Sequence, residues 1–219
     1  MDRQQLSPLI DHTLLKPEAT AQQIEQLCEE AVEHGFASVC VSPTHVALVA
    51  RRLDGHRSLT CSVIGFPSGA HLPPIKAAEA ARAVADGAQE LDMVIDLGAL
   101  SDRGGAAVEQ EVAAVRAEVA DAARIKVIIE SAALSDQQIV MACESAVAAG
   151  ADFVKTSTGF HPSGGASTHA VALMRRTVGA GIGVKASGGI RSYQDAVAML
   201  EAGASRLGMS AGVAVVTGG

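Results

Sequence analysis

The sequence predicts an α/β chain that folds over residues 1–219 as one closed (β/α)8 barrel, the TIM-barrel architecture, behind a short N-terminal segment. Four stretches share a helix–glycine–strand layout, which is typical of parallel strands joined by helical crossovers. Eight strand candidates occur in all, with no linker or low-complexity stretch between them, and a chain of this length is close to the lower limit for such a barrel. They begin near Ile10, Ser38, Thr60, Leu91, Ile125, Phe153, Gly183 and Arg206.

The helices between these strands carry recognisable ends. Glycine favours the left-handed backbone that terminates many helices. It follows a helical stretch at Gly35, Gly87, Gly150 and Gly203. Side chains that can cap the first turn of a helix stand at Thr20, Ser135 and Ser192. The alternative architecture is an open, doubly wound sheet, which the sequence does not favour because no GxGxxG motif follows the first strand.

Composition argues against several classes of partner. The net charge of −7, the absence of Trp and an aromatic content of 2% all disfavour a nucleic-acid-binding protein. No apolar run approaches the roughly 20 residues of a membrane-spanning helix, and the first residues lack the layout of a signal peptide. The cysteines form no CxxC pair, so we expect reduced thiols in the core of a cytoplasmic protein. They are Cys28, Cys40, Cys61 and Cys143.

Two lysines stand at the same height on neighbouring predicted strands. Sites in such barrels lie at the carboxyl ends of the strands, where Lys155 precedes Thr-Ser-Thr-Gly and Lys185 precedes Ala-Ser-Gly-Gly. Two amines about 5 Å apart repel by roughly 3 kcal/mol, equivalent to about two pKa units. We therefore expect Lys155 to be mostly neutral near pH 7 to 8 and able to attack a carbonyl carbon as a Schiff-base nucleophile. The alternative is that each amine pairs with a carboxylate or reaches solvent.

An aspartate and two glycine-rich turns complete the candidate site. Asp92, within the fourth strand, is either a paired structural acid or an inward-facing group that moves protons at the carbon next to an imine. Asp96 lies about 13 Å further along the same strand direction, too far to serve the same atom. The turns at 187–189 and 208–210 follow the last two strands, where barrels often hold phosphate. No histidine or cysteine spacing predicts a metal, and we expect no cofactor.

Six segments together closely resemble deoxyribose-phosphate aldolase, from about residue 9 to 216. They are IDHTLLKPEAT at 10–20, VIGFPSGA at 63–70, LDMVIDLGAL at 91–100, KVIIE at 126–130, DFVKTSTGF at 152–160 and VKASGGIR at 184–191. The resemblance implies a metal-independent class I aldolase on a (β/α)8 barrel. Such a lyase reversibly cleaves 2-deoxyribose 5-phosphate to glyceraldehyde 3-phosphate and acetaldehyde in deoxynucleoside catabolism.

The resemblance also implies roles for individual residues. Lys155 would form the Schiff base, Lys185 would tune its pKa and exchange protons, and Asp92 would relay protons. The residues implied in substrate binding are Asp11, Thr13, Thr158, Gly188, Gly189 and Ser210. The partners would be a phosphorylated sugar and an aldehyde, without nucleic acid or membrane, and a homo-oligomer is compatible with the sequence.

Some positions depart from the pattern of the family. They are Asp96 in place of Asn, the segments 71–74 and 161–163, and Ala211 in place of a serine. None removes a named catalytic group, although they leave the preferred aldehyde and the tightness of phosphate binding open. Two other functions remain possible from the sequence: a class I aldolase with a different carbonyl donor, and a barrel that binds sugar phosphates without catalysis.

Overall fold

A computed structural model describes residues 2–218 and forms the predicted closed barrel. Eight parallel strands pair in chain order, and the last pairs with the first. The strands are β1 (Ile10–Leu14), β2 (Ser38–Val41), β3 (Leu59–Ile64), β4 (Glu90–Val94), β5 (Arg124–Ile128), β6 (Phe153–Lys155), β7 (Gly183–Ser187) and β8 (Arg206–Met209). Every predicted strand start is confirmed to within one residue.

Helices surround the barrel and connect its strands. They are α1 (Arg3–Leu6), α2 (Ala21–His34), α3 (Val46–Arg52), α4 (Pro73–Ala85), α5 (Leu97–Arg103), α6 (Gly105–Val119), α7 (Asp136–Ala148), α8 (Thr168–Val178), α9 (Tyr193–Glu201) and α10 (Gly212–Thr217). Short 3-10 turns occupy Ser7–Leu9, Pro43–His45, Ala120–Ala122 and Ser131–Ala133. Helix α1 and the first of these turns form the short N-terminal segment.

The predicted helix ends are confirmed by their hydrogen bonds. The side chains of Thr20, Ser135 and Ser192 each accept a bond from the third residue of the helix that follows. That residue returns a bond to the backbone of the cap, so each start is a complete capping box. Gly35 ends α2 with φ of 67°, a left-handed conformation that a residue with a Cβ adopts only at a cost.

Apolar side chains pack between the strands and the surrounding helices, whereas the interior of the barrel holds charged groups. The apolar layer includes Val39, Leu91, Ile125 and Val184, all fully buried. Alternate residues of the strands point the other way, into the barrel. The four cysteines are buried and free. Among residues 2–218, no helix is long and apolar enough to cross a membrane.

The strand register sets the relative height of the charged residues. Lys155 of β6 is the backbone partner of Lys185 in β7, and Lys185 is the partner of Arg206 in β8. On the other side of the barrel, Asp92 of β4 is the partner of Lys126 in β5. Because paired residues in a parallel sheet point to the same face, these long side chains all enter the barrel interior.

Candidate active site

The three predicted catalytic side chains meet inside the barrel at the carboxyl end of its strands. Asp92 Oδ2 accepts a hydrogen bond from Lys155 Nζ at 2.6 Å and another from Lys185 Nζ at 2.6 Å. All three side chains are buried. The predicted proximity of the two lysines is therefore confirmed, and one carboxylate oxygen lies between their amines.

That carboxylate changes the electrostatic argument made from the sequence. Repulsion between two amines neglects Asp92, and the structure favours the alternative in which the amines pair with carboxylates. Burial alone would lower the pKa of Lys185, but the carboxylates of Asp11 and Asp92 outweigh it and the pKa lies above its ordinary value. Lys185 therefore remains an ammonium near neutral pH. The hydroxyl of Thr156, the residue after Lys155, is engaged by the backbone of strand β7, because it donates to the Ser187 carbonyl and accepts from the Ser187 N–H.

A third lysine, which the sequence analysis did not assign, holds the other oxygen of Asp92. Lys126 Nζ is 2.8 Å from Asp92 Oδ1 and 2.7 Å from Glu90 Oε2. Burial would raise the pKa of Asp92, but Lys126, Lys155 and Lys185 hold it well below its usual range. A signal was present, because Lys126 occupies a strand-like apolar segment in which an unpaired amine would be costly.

Asp11 lies below the predicted substrate site and does not line the cleft. Its carboxylate is fully buried and accepts a bond from Ser38 Oγ at 2.6 Å. It also lies 2.6 Å from the Arg206 guanidinium and 2.5 Å from Lys185 Nζ. These cations lower the pKa of Asp11 despite the opposing effect of burial. The geometry thus assigns Asp11 to the support of Lys185, which differs from the substrate contact that the family pattern implied.

A cleft of about 270 Å³ opens above this cluster. Lys155 reaches its floor, and five of the six predicted substrate-binding residues line it, namely Thr13, Thr158, Gly188, Gly189 and Ser210. Two exposed cations at the rim, Lys16 and Arg191, were missed by the sequence analysis although both belong to recognised motifs. They place positive charge on a protein that is negative overall.

Glycines let the backbones of two loops meet beside the cleft. Gly188 and Gly189 have φ of 85° and 83°, the left-handed region that favours glycine. A Cβ on Gly165 would lie 2.2 Å from the carbonyl oxygen of Gly188. The loop after β6 thus packs against the loop after β7 at a distance that only glycine permits, and the backbone N–H groups of that second turn stay close to the cleft.

Thr158 is held by a buried acid at the end of β5. Its hydroxyl donates to Glu130 Oε2 at 2.5 Å, and its backbone N–H points to the same carboxylate. Glu130 adopts a left-handed backbone with φ of 54°, which is uncommon for a residue with a Cβ. The sequence analysis did not identify Glu130. This contact orients the turn that follows Lys155.

The donor atoms of Cys40, Cys61 and Asp92 lie within 4.8 Å of one another, a spacing that could hold a metal ion. An ammonium already occupies this position, because Lys126 Nζ is 3.3 Å from Cys61 Sγ and 2.8 Å from Asp92. Two cations repel at such a distance, so the residues do not fit a metal while Lys126 is charged.

Asp96 and the segment 161–163, two of the departures from the family pattern, lie outside the cluster formed by Asp92 and the buried lysines. Asp96 caps helix α5, accepting a bond from the Ala99 N–H at 2.9 Å. Asn and Asp cap helices about equally well, so the exchange preserves this role. His161 accepts a bond from the Ser163 N–H within an exposed loop.

A parallel (β/α)8 barrel with a cleft and clustered polar side chains at the carboxyl ends of its strands has the architecture of the barrel enzymes, whose active sites lie at that end. The chain belongs to the DeoC/LacD family of aldolases, whose sequence model matches residues 7–217. The recognition made from the six motifs is thereby confirmed.

The relatives of this chain align with nearly its whole length. It is 57% identical to deoxyribose-phosphate aldolase 1 of Cutibacterium acnes, over 96% of each chain. It is 54% identical to deoxyribose-phosphate aldolase of Listeria innocua, over 97% of this chain and 95% of the relative. Among solved structures, the tetrameric deoxyribose phosphate aldolase of Aeropyrum pernix has a TM-score of 0.91 and 36% identity, covering 99% of this chain and 91% of that one.

Proposed function

We propose that this chain is a class I aldolase that reversibly cleaves 2-deoxyribose 5-phosphate through a Schiff base at Lys155. The observation that carries the assignment is the position of one amine. Lys155 lines the open cleft, whereas Lys126 and Lys185 lie fully buried beneath it. The names of the relatives support the choice of substrate.

In the proposed reaction, neutral Lys155 Nζ attacks the aldehyde carbon C1 of the open-chain sugar, and the adduct loses water to give an iminium ion. The C2–C3 bond then breaks as the C3 hydroxyl loses its proton. The electron pair of that bond moves toward the iminium nitrogen, which releases glyceraldehyde 3-phosphate and leaves an enamine. A proton added at the methyl carbon and one water molecule then release acetaldehyde.

Asp92 and Lys185 are the groups placed to move these protons. Asp92 contacts both amines through one oxygen, so a proton can pass between Lys185 and the reacting nitrogen without a large movement. Since the pKa of Asp92 is well below its usual range, the carboxylate stays ionised and Lys185 carries the exchangeable proton. In this assignment Asp92 stabilises the iminium and Lys185 acts as donor and acceptor.

The other end of the substrate would meet the glycine-rich turns. Phosphate accepts hydrogen bonds from backbone N–H groups such as those near Gly188 and Gly189, with Ser210 across the cleft. Lys16 and Arg191 add charge at the same rim. Ser187 also lines the cleft, and its buried hydroxyl has no hydrogen-bond partner among residues 2–218. We assign this hydroxyl to a substrate oxygen.

The decisive experiment has two parts. Release of acetaldehyde and glyceraldehyde 3-phosphate from 2-deoxyribose 5-phosphate is followed with coupled enzymes, and the protein is then incubated with acetaldehyde and borohydride and digested. We expect turnover and an added ethyl group on Lys155 by peptide mass. Labelling with dihydroxyacetone phosphate but not acetaldehyde would favour the alternative donor, and labelling of surface amines alone would reject the Schiff-base assignment.

We also propose a cytoplasmic, homo-oligomeric enzyme. Four buried free cysteines suit a reducing compartment, and the Aeropyrum pernix relative is a tetramer. Light scattering of the purified protein measures the oligomeric state, and a monomer at micromolar concentration would contradict this part of the proposal.

A further inference from the structure

The interior of the barrel holds an unequal number of buried charges. Within residues 2–218, seven buried carboxylate, amine and guanidinium side chains form one set linked by contacts of 4 Å or less, which we call the buried charge network. Its anions are Asp11, Glu90 and Asp92, and its cations are Lys126, Lys155, Lys185 and Arg206. With every group ionised, four cations face three anions and one positive charge is left over.

The contacts join Lys155 to the far end of the network. Arg206 lies 3.0 Å from Glu90 and 2.6 Å from Asp11. Asp11 continues to Lys185, and Asp92 joins Lys185 to Lys155. Burial excludes most water, so each charge acts on the others more strongly than it would at the surface.

The remaining groups that face the network do not cancel its excess charge. Arg124 lies 3.7 Å from Glu90, but its side chain is 57% exposed and is screened by solvent. Glu130 is held by Thr158 and has no cationic side chain within 4 Å in the described part of the chain. His12 lies in β1 and contacts Glu30 of α2, on the outer side of the barrel wall.

Two thiols also face the network from β2 and β3. Burial raises the pKa of Cys61 well above its ordinary value, so its thiol stays protonated. A hydrogen bond with Cys61 lowers the pKa of Cys40, although burial opposes this effect. Cys40 is therefore the one group outside the seven that needs its own control.

We propose that Glu90 and Arg206, remote from the cleft, are positioning residues that set the proton count of the network and thereby make Lys155 the amine that gives up its proton. Lys155 is the only member of the network that lines the cleft. Its proton can reach solvent, and its loss leaves three cations facing three anions. The inference rests on the proposed Schiff-base function.

The same count applies along the reaction. The iminium at Lys155 restores the excess positive charge, and loss of a proton from the methyl carbon, giving the enamine, removes it again. The network therefore favours the neutral amine and the enamine, the two nucleophilic species of the cycle. The charges of Glu90 and Arg206 act on the reacting nitrogen through space, without direct contact.

The size of the effect follows from the barrel spacing. Glu90 in β4 and Arg206 in β8 are each two strands away from Lys155 in β6, which is about 10 Å at roughly 4.8 Å per strand. A unit charge at that distance and an effective dielectric near 20 displaces a titration midpoint by about one pH unit. Opposite charges displace it in opposite directions.

The test is the pH profile of reductive trapping at Lys155 with acetaldehyde and cyanoborohydride, followed by peptide mass. Arg206→Met removes a cation, so its midpoint is expected to rise by about one pH unit. Glu90→Gln removes an anion, and its midpoint is expected to fall by about the same amount. The double variant has three cations and two anions, again an excess of one, and is expected to return to the original midpoint.

Circular dichroism reports whether each variant is folded. Further variants keep the test informative where one substitution prevents folding. Lys126→Met removes a different cation and is expected to raise the midpoint, whereas Arg206→Lys keeps the charge and the midpoint. Cys40→Ala excludes a thiolate contribution if its midpoint is unchanged. The inference would be overturned if the midpoints of the folded variants stayed together or all moved in one direction. Absence of labelling at Lys155 in the unsubstituted protein would overturn the proposed function itself.

Discussion

Replacement of Asp92 by asparagine tests the centre of the site most directly. The amide has nearly the shape of the carboxylate but carries no charge. Among residues 2–218, Asp92 is the one acid that contacts all three of Lys126, Lys155 and Lys185. The variant therefore leaves three buried amines with fewer anions around them. We expect a loss of both stability and proton transfer.

The magnitude of the stability loss follows from the burial of the pair. Removal of one partner from a buried ion pair costs about 3–5 kcal/mol, because the remaining charge is left uncompensated. For a chain of this size, 1 kcal/mol corresponds to about 2–4 °C in Tm, so Asp92→Asn is expected to lower Tm by roughly 6–20 °C near pH 7. The difference from the unsubstituted protein is expected to narrow toward pH 10, where the amines of the variant lose their protons.

Asp96→Asn is the matched control. It makes the same chemical change four residues away, at a helix cap where Asn and Asp are about equivalent, and we expect Tm to change by only a few degrees. Thermal unfolding of both variants is measured at pH 7 and pH 10. Deuterium uptake into the methyl group of acetaldehyde is measured in parallel for both variants. We expect slower uptake in Asp92→Asn, on the scale of the factor of about 10² to 10⁴ that general acid–base catalysis contributes to a rate.

Two results would refute this reasoning. An Asp92→Asn variant as stable as Asp96→Asn at pH 7 would mean that the lysines beneath the cleft are not held as a charged set. Normal deuterium uptake in a folded Asp92→Asn variant would mean that proton transfer does not need the carboxylate between Lys155 and Lys185, and the role assigned to Asp92 would be withdrawn.

Two other predictions concern packing and acid stability. Gly165→Ala is expected to raise the KM for phosphorylated substrate tenfold or more, because its Cβ would lie 2.2 Å from the Gly188 carbonyl oxygen. Gly181→Ala is the control, since a Cβ there meets open space and is expected to leave KM unchanged. Equal KM values for the two variants would contradict the packing argument. Burial lowers the pKa of His12 although Glu30 opposes the shift, so the unfolded state binds the proton first and stability is expected to fall as pH drops below about 6.5. Urea unfolding between pH 7 and 5 measures this slope, and His12→Gln is expected to reduce it; an unchanged slope would assign it to other groups.

Much of the architecture could be predicted from the sequence because its signals are local. A capping box such as that at Ser135 depends on four consecutive residues, and the glycine at 35 depends on the backbone angle at one position. Repetition of these short signals implied eight strands in parallel, and the order of parallel strands made Lys155 and Lys185 neighbours. For the same reason the glycine turns beside the cleft were recognised.

The electrostatics of the site depended on closure of the barrel and could not be obtained this way. Arg206 meets Asp11 across 195 positions of sequence because β8 pairs with β1, and Glu90 meets Arg206 across the interior. Considered alone, the two lysines predict repulsion, whereas their surroundings include the shared carboxylate of Asp92. The elements and the order in which they pair could be read from the chain because hydrophobic period and turn chemistry are local. The pairing of the buried charges became known only from the folded barrel, because charges interact through space with groups that closure brings in from distant strands.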